Sequence, residues 1–152
     1  MRVDSASRLL AAPPDAIFRA FVEPDLLGAW LPPEGMAGRL ERFDPVPGGG
    51  FRMVLRYEQS EGRGKFTEDS DVADTRIVAL EPPNRVVWAV DFPSDDPAFA
   101  GTMTMAWSFA AGESGTLVTV RCTDVPSGID PQDHAVGLSS SLAQLEQVVS
   151  SG

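Results

Sequence analysis

The chain has 152 residues, a formal net charge of −10 and a hydrophobic content of 43%, which together indicate a soluble globular protein. This acidity argues against nucleic acid as a partner, because phosphate backbones repel a negatively charged surface. No apolar run is long enough to span a membrane and no leader segment is evident, so a cytoplasmic protein with one domain over residues 1–152 is expected. Cys122 is the single cysteine, which excludes an internal disulfide.

The N-terminal part of the chain predicts one strand and two short helices. Residues 3–11 have the composition of a strand, and the stretch PPDAIFRAFVEPDLLGAWLPP follows. Its prolines suit the first turn of a helix, where a backbone N–H has no partner within the helix. Apolar residues recur at helical spacing from Ile17 to Phe21 and again from Leu26 to Trp30.

The middle of the chain, from residue 35 to about residue 124, predicts an antiparallel sheet. Apolar side chains alternate with polar or small ones in FRMVLRY, RVVWAVDF, GTMTMAWSFAAG and GTLVTVRC. This period of two is typical of strands whose alternate side chains face opposite sides of a sheet. Glycine and proline between these runs favour a meander of strands joined by turns.

The face formed by Met103, Met105 and Trp107 has two interpretations. Methionine is flexible and fills irregular space, so such a face either packs in a solid core or lines a cavity that accepts a ligand. The strand alone does not separate the two interpretations.

The last segment predicts a long helix. Asp130 suits the cap position and Pro131 the first helical position, while Leu138, Leu142 and Leu145 recur on one side. Because an antiparallel sheet with one apolar face needs a cover, this helix is expected to lie on it. The sequence therefore predicts an α+β fold.

In their order and spacing, PPDAIFRAFVEPDLLGAWLPP, FDPVPGGGFRMVLRYE, TEDSDVADTRIVALEPPNRVVWAV and TMTMAWSF, followed by a terminal helix, resemble one known family. It is the family of homologues of the activator of heat-shock protein 90 ATPase, within the START-like (SRPBCC) superfamily. The resemblance covers residues 3–149. It implies a helix-grip fold, in which a curved antiparallel sheet wraps around the long C-terminal helix and a deep apolar cavity lies between them.

Two loop motifs predict structural elements and no chemical site. PVPGGGF predicts a tight turn with positive φ at glycine, because a phosphate-binding loop needs Lys, then Ser or Thr, and a following helix. The acidic stretch from Glu68 to Asp74 predicts a solvated loop, since it lacks the central glycine and closing glutamate of a calcium loop.

His134 is the only histidine, so a metal site with two histidines is excluded. No metal and no cofactor are expected. As a general acid or base, His134 would need an orienting neighbour, for which Asp133 and Asp91 are the candidates. The alternative is a histidine at a helix end with no catalytic part, and no catalytic residue is assigned. The residues predicted to line the cavity combine tryptophans and methionines with three residues of the last helix: Trp30, Met36, Met53, Trp88, Met103, Met105, Trp107, His134, Leu138 and Leu142.

Three functions follow from this sequence. The first is a binding protein, monomeric or homodimeric, for a small hydrophobic molecule of aromatic or lipid-like character. The second is an enzyme of cyclase or dehydratase type that uses the same cavity, with His134 or Asp91 moving a proton. The third, which the resemblance implies, is a regulatory protein that interacts with a chaperone.

Overall fold

The fold is described by a computed structural model over residues 2–32, 36–57, 70–92, 97–98 and 100–150. Within these ranges, the side chains of residues 36–37, 55–57, 70–73, 92 and 150 are outside the description. The strands and helices, in chain order, are β1 (Val3–Leu10), α1 (Pro14–Val22), α2 (Pro24–Trp30), β2 (Met36–Asp44), β3 (Gly50–Tyr57), β4 (Ser70–Glu81), β5 (Arg85–Phe92), β6 (Gly101–Gly112), β7 (Gly115–Thr123) and α3 (Pro131–Ser150). The predicted strand, pair of short helices, run of strands and final long helix are confirmed.

Seven antiparallel strands form one curved, unclosed sheet in the order β1-β7-β6-β5-β4-β3-β2. One face of this sheet, called here the inner face, packs against the helices and carries Val118, Val120 and Cys122 on alternate positions of β7. The opposite, outer face is exposed at Leu117 and Arg121. The period of two in the sequence therefore separates the two faces as predicted.

The C-terminal helix α3 covers the inner face. Leu138, Leu142 and Leu145 are buried in the core, and the N–H of Asp133 donates to Oδ2 of Asp130 at 3.0 Å, so the predicted cap is confirmed. None of the described helices is both long and apolar enough to cross a membrane. The α+β helix-grip fold expected from the sequence is the fold observed.

The glycine turn between β2 and β3 is a structural turn. The N–H of Gly48 donates to the carbonyl of Ile77 at 2.9 Å, and that of Gly49 to the carbonyl of Val46 at 2.8 Å. Gly48 has a φ of 89°, which other residues rarely adopt. A Cβ at Gly50 would stand only 2.1 Å from the carbonyl oxygen of Thr75. These amide groups bond to the chain itself, as the interpretation of a tight turn predicts.

The acidic stretch is only partly the loop that was predicted. Asp71 and Asp74 belong to β4, which begins at Ser70, whereas Glu68 and Asp69 lie outside the described residues. Asp74 lies opposite Arg52 on β3, which binds its carboxylate through two nitrogens, at 2.8 and 3.0 Å. The prediction of a loop is therefore wrong for Asp71 and Asp74.

Candidate functional site

Among the described residues, six buried aromatic rings gather where α1 and α2 meet the middle of the sheet. Phe21 of α1 lies at their centre, with its ring centroid 5.0 Å from those of Trp30 and Trp107. Trp88 and Trp107 contact each other edge to face at 5.4 Å. The members of this aromatic cluster are Phe21, Trp30, Phe51, Trp88, Trp107 and Phe109. All are buried, so the cluster forms the centre of the core.

The three indole N–H groups differ in their partners. Trp30 donates to the carbonyl of Ala20 at 2.8 Å. That carbonyl would normally accept from the residue four positions on, which is Pro24 and has no N–H. The indole N–H of Trp30 therefore satisfies a carbonyl at the end of α1 that has no donor within the helix. Neither Trp88 nor Trp107 has a hydrogen-bond partner for its buried indole N–H among the described residues.

Met105 is a less buried point on the inner face of the sheet. It lies between Met103 and Trp107, which are 5% and 1% exposed, and opposite Trp88 on β5 and Cys122 on β7. Its four neighbours are buried, whereas Met105 itself is only partly buried. Solvent-accessible surface therefore reaches the inner face beside two tryptophans.

His134 belongs to a polar cluster at the other end of the same row of residues. Asp4 is on β1, opposite Cys122 of β7. Nδ1 of His134 is 2.7 Å from Oδ2 of Asp4. Arg2 donates to the same carboxylate at 2.9 Å. Hydrogen bonds from Arg2 and then His134 hold the pKa of Asp4 below its usual value.

The predicted orienting partners of His134 are therefore wrong. Asp133 is exposed in the first turn of α3, and Asp91 lies on the outer face of β5. The actual partner is Asp4, which the sequence analysis missed. The two faces of β1 differ little in polarity, because one carries serines and the other carries Asp4 and Arg8 at inward positions. No local pattern in the sequence identified this partner, because Asp4 reaches His134 only through the pairing of β1 with β7.

Asp91 belongs to a charged groove of about 490 Å³ on the outer face. The carboxylate of Asp91 accepts two hydrogen bonds from Arg76, at 3.1 and 3.2 Å, and one from the hydroxyl of Thr102, at 2.7 Å. The bonds from Arg76, and then the bond from Thr102, lower the pKa of Asp91. The groove is lined by Glu41, Arg42, Arg52, Asp74, Arg76 and Asp91. Within the described ranges, no three His, Cys, Asp or Glu side chains are grouped closely enough to hold a metal ion. Asp91 and the inner face are on opposite sides of the sheet.

The structure brings together most of the residues predicted to line a cavity. Those in the main hydrophobic core or packed against it are Trp30, Trp88, Met103, Met105, Trp107, Leu138 and Leu142. His134 is partly buried at the start of α3. Met53 is buried beside Gly38, where a Cβ would stand 3.1 Å from its sulfur, and is not a member of that core. Met36 begins β2, and its side chain lies outside the description.

A curved antiparallel sheet that holds a long C-terminal helix on its inner face defines the helix-grip, or START-like, class. Solved structures of this class are similar to almost the whole chain. A protein from Chromobacterium violaceum is 28% identical, with a TM-score of 0.83 and 98% of each chain covered. An AHSA1-like protein from Aeromonas hydrophila is 18% identical, with a TM-score of 0.78 over 99% of this chain and 93% of that one. A Mesorhizobium loti protein is 20% identical, with a TM-score of 0.75 over 98% and 97% of the two chains.

The family assignment comes from the sequence profile described as activator of Hsp90 ATPase homolog 1-like protein, which matches residues 11–150. The chain therefore belongs to this family, and the resemblance seen in its sequence is confirmed. A search of curated proteins finds no match.

Proposed function

We propose that the protein binds a small hydrophobic molecule on the inner face of its sheet, beside Met105. The observation that carries this proposal is the partial exposure of Met105 amid buried neighbours. A side chain in the middle of a seven-stranded sheet, on the face covered by helices, is expected to be fully buried in a solid core. The accessible surface at Met105 supports a space there into which a ligand can enter.

The side chains around this point suit an adaptable apolar site. Met103 and Met105 have flexible thioether side chains that reshape around a ligand, and Trp88 and Trp107 offer flat aromatic surface. Ligand binding is also common in the fold family to which the chain belongs. A ligand of aromatic or lipid-like character fits this lining.

The test is binding of the neutral apolar fluorophore N-phenyl-1-naphthylamine to the wild type and to Met105→Trp. We expect the wild type to bind the dye, enhance its fluorescence and melt at a higher temperature with it, because a ligand of the folded state stabilises that state. Met105→Trp should weaken binding at least tenfold and leave the melting temperature unchanged or higher, since the indole ring occupies the accessible space.

The matched control is Leu117→Trp, which adds the same ring on the outer face, where Leu117 is 43% exposed. This variant should bind the dye as the wild type does. If Met105→Trp is destabilised by about 1–3 kcal/mol, as for overpacking of a filled core, and the wild type binds no dye, the proposal is wrong.

A second candidate function is proton transfer by His134, favoured by its 2.7 Å contact with Asp4. A carboxylate on Nδ1 fixes the ring and leaves Nε2 to act on a substrate. Asp4 also lies in the same cross-strand row as Cys122 and Met105. If a cyclase or dehydratase activity is found, His134→Gln should abolish it while dye binding persists; unchanged turnover would exclude this role.

The chaperone partner stays a prediction that rests on the family name alone.

A further inference from the structure

Two buried tryptophans present hydrogen-bond donors that the described part of the chain does not use. Trp88 is 2% exposed and Trp107 is 1% exposed, and the indole Nε1 of each is buried without a partner among the described residues. Trp30, equally buried, has its donor bonded to the carbonyl of Ala20. One cluster thus contains one indole with a hydrogen-bond partner and two that have none among the described residues.

An unsatisfied buried donor is unfavourable because it has lost its water partners, so native cores rarely keep one without a reason. Here two lie side by side, with ring centroids 5.4 Å apart. Both flank the accessible point at Met105, because Trp88 is its partner across the strands and Trp107 stands two positions further along β6. The two donors therefore belong to residues next to Met105, and because both nitrogens are buried, an acceptor reaches them when the flexible Met105 side chain moves aside.

We propose that the molecule bound beside Met105 carries a neutral hydrogen-bond acceptor, such as the oxygen of a ketone, ester or quinone, and that the indole N–H of Trp88 or Trp107 donates to it. This inference rests on the proposed function and specifies the chemistry of its ligand. An apolar body contacts the methionines and rings, and a single oxygen atom satisfies a donor that has no partner in the described part of the chain.

The acceptor is neutral because the charged groups of this face oppose a buried anion. An anion would need a cation to offset its desolvation. Arg2 and His134 both hold Asp4, and Arg8 binds Glu146 at 2.8 Å. Asp4 itself is a carboxylate in the same row as Met105 and repels a second negative charge.

The experiment compares three planar naphthalenes that differ in one substituent. They are 2-acetylnaphthalene, which has a carbonyl, 2-isopropenylnaphthalene, which has a CH₂ in place of the oxygen, and 2-naphthoate, which is an anion. Affinities are measured by calorimetry, and the three indole N–H signals are followed by NMR in ¹⁵N-labelled protein. We expect the ketone to bind about tenfold tighter than the alkene, because it satisfies a buried donor, and the naphthoate to bind most weakly. The ketone should shift the indole signal of Trp88 or Trp107 and leave that of Trp30 in place.

Phenylalanine variants identify the donor. Trp107→Phe or Trp88→Phe should reduce the preference for the ketone over the alkene to about one, whereas Trp30→Phe should keep it.

Equal binding of ketone and alkene to the wild type, with no selective indole shift, overturns this inference and leaves the proposed function intact. If the naphthoate binds most tightly of the three, the inference that the acceptor is neutral is wrong. Binding of none of the three overturns the proposed function and this inference together. The NMR comparison uses only the wild type, so it decides the matter even if a variant fails to fold.

Discussion

His134 and Asp4 stand 130 positions apart in the chain, and their side chains meet with Nδ1 and Oδ2 at 2.7 Å. Arg2 holds the same carboxylate and also donates to the backbone carbonyls of Pro126 and Ile129, just before α3. One carboxylate thus joins the edge strand β1 to the beginning of the helix that covers the sheet.

The first prediction concerns the pH dependence of this link. Because Arg2 and His134 lower the pKa of Asp4 in the folded protein, the carboxylate stabilises the fold above its unfolded pKa of about 3.9. That contribution is lost as the pH falls through the lower folded pKa. Asp4→Asn should therefore lower the free energy of unfolding by about 1–3 kcal/mol at pH 7, and the deficit should shrink towards pH 2. Urea unfolding at several pH values measures it.

Glu113→Gln is the control, because Glu113 is exposed in the turn between β6 and β7. It should change the free energy of unfolding little at either pH. A deficit for Asp4→Asn that stays constant from pH 7 to pH 2 would contradict the link between Asp4 ionisation and stability.

The second prediction concerns the cover of the sheet. Leu142 is fully buried between α3 and the sheet, so Leu142→Ala should lower the free energy of unfolding by about 2–5 kcal/mol. Val136 lies on the same helix and is 65% exposed, so Val136→Ala should have little effect. Denaturant midpoints measure both. An unchanged midpoint for Leu142→Ala would show that α3 does not cover the core.

Patterns of local origin were predictable from the sequence. The alternation of Met103, Met105 and Trp107 placed them on one face, and the spacing of Leu138 and Leu142 placed them on the buried side of α3; burial confirms both patterns. These follow from the periods of strand and helix, which need no knowledge of the tertiary fold.

Pairings between distant segments were not predictable. Asp4 meets His134 only because β1 returns to the sheet beside β7, and Ala20 accepts from Trp30 only because α2 turns back on α1. The partial exposure of Met105 likewise depends on how the helices lie over the sheet, which a period of two does not specify. The outer position of Asp91, in contrast, follows from its alternation with Trp88 and Val90 of the apolar face, which the choice of Asp91 as a partner for His134 overlooked.

The third prediction concerns Cys122. Burial, with a smaller contribution from the Asp4 carboxylate, raises the pKa of this thiol to about 12, so it stays protonated at neutral pH. Iodoacetamide should therefore label the folded protein at least a hundredfold more slowly than the protein in 8 M urea. Mass spectrometry of the intact chain measures the labelling. Equal rates in the two conditions would contradict the burial of this side chain.

The fourth prediction separates the two kinds of indole by stability alone, with no ligand added. Trp30→Phe and Trp107→Phe each replace a buried indole with a smaller ring, so their losses of packing should be similar. Trp30→Phe also leaves the carbonyl of Ala20 without the donor that replaces the missing N–H of Pro24. Trp107→Phe removes an N–H that has no partner among the described residues, and so breaks no hydrogen bond within that part of the chain. We therefore expect Trp30→Phe to be about 1–2 kcal/mol less stable than Trp107→Phe in urea unfolding. Equal stabilities, or a larger loss for Trp107→Phe, would indicate that the indole of Trp107 already has a partner in the unliganded protein.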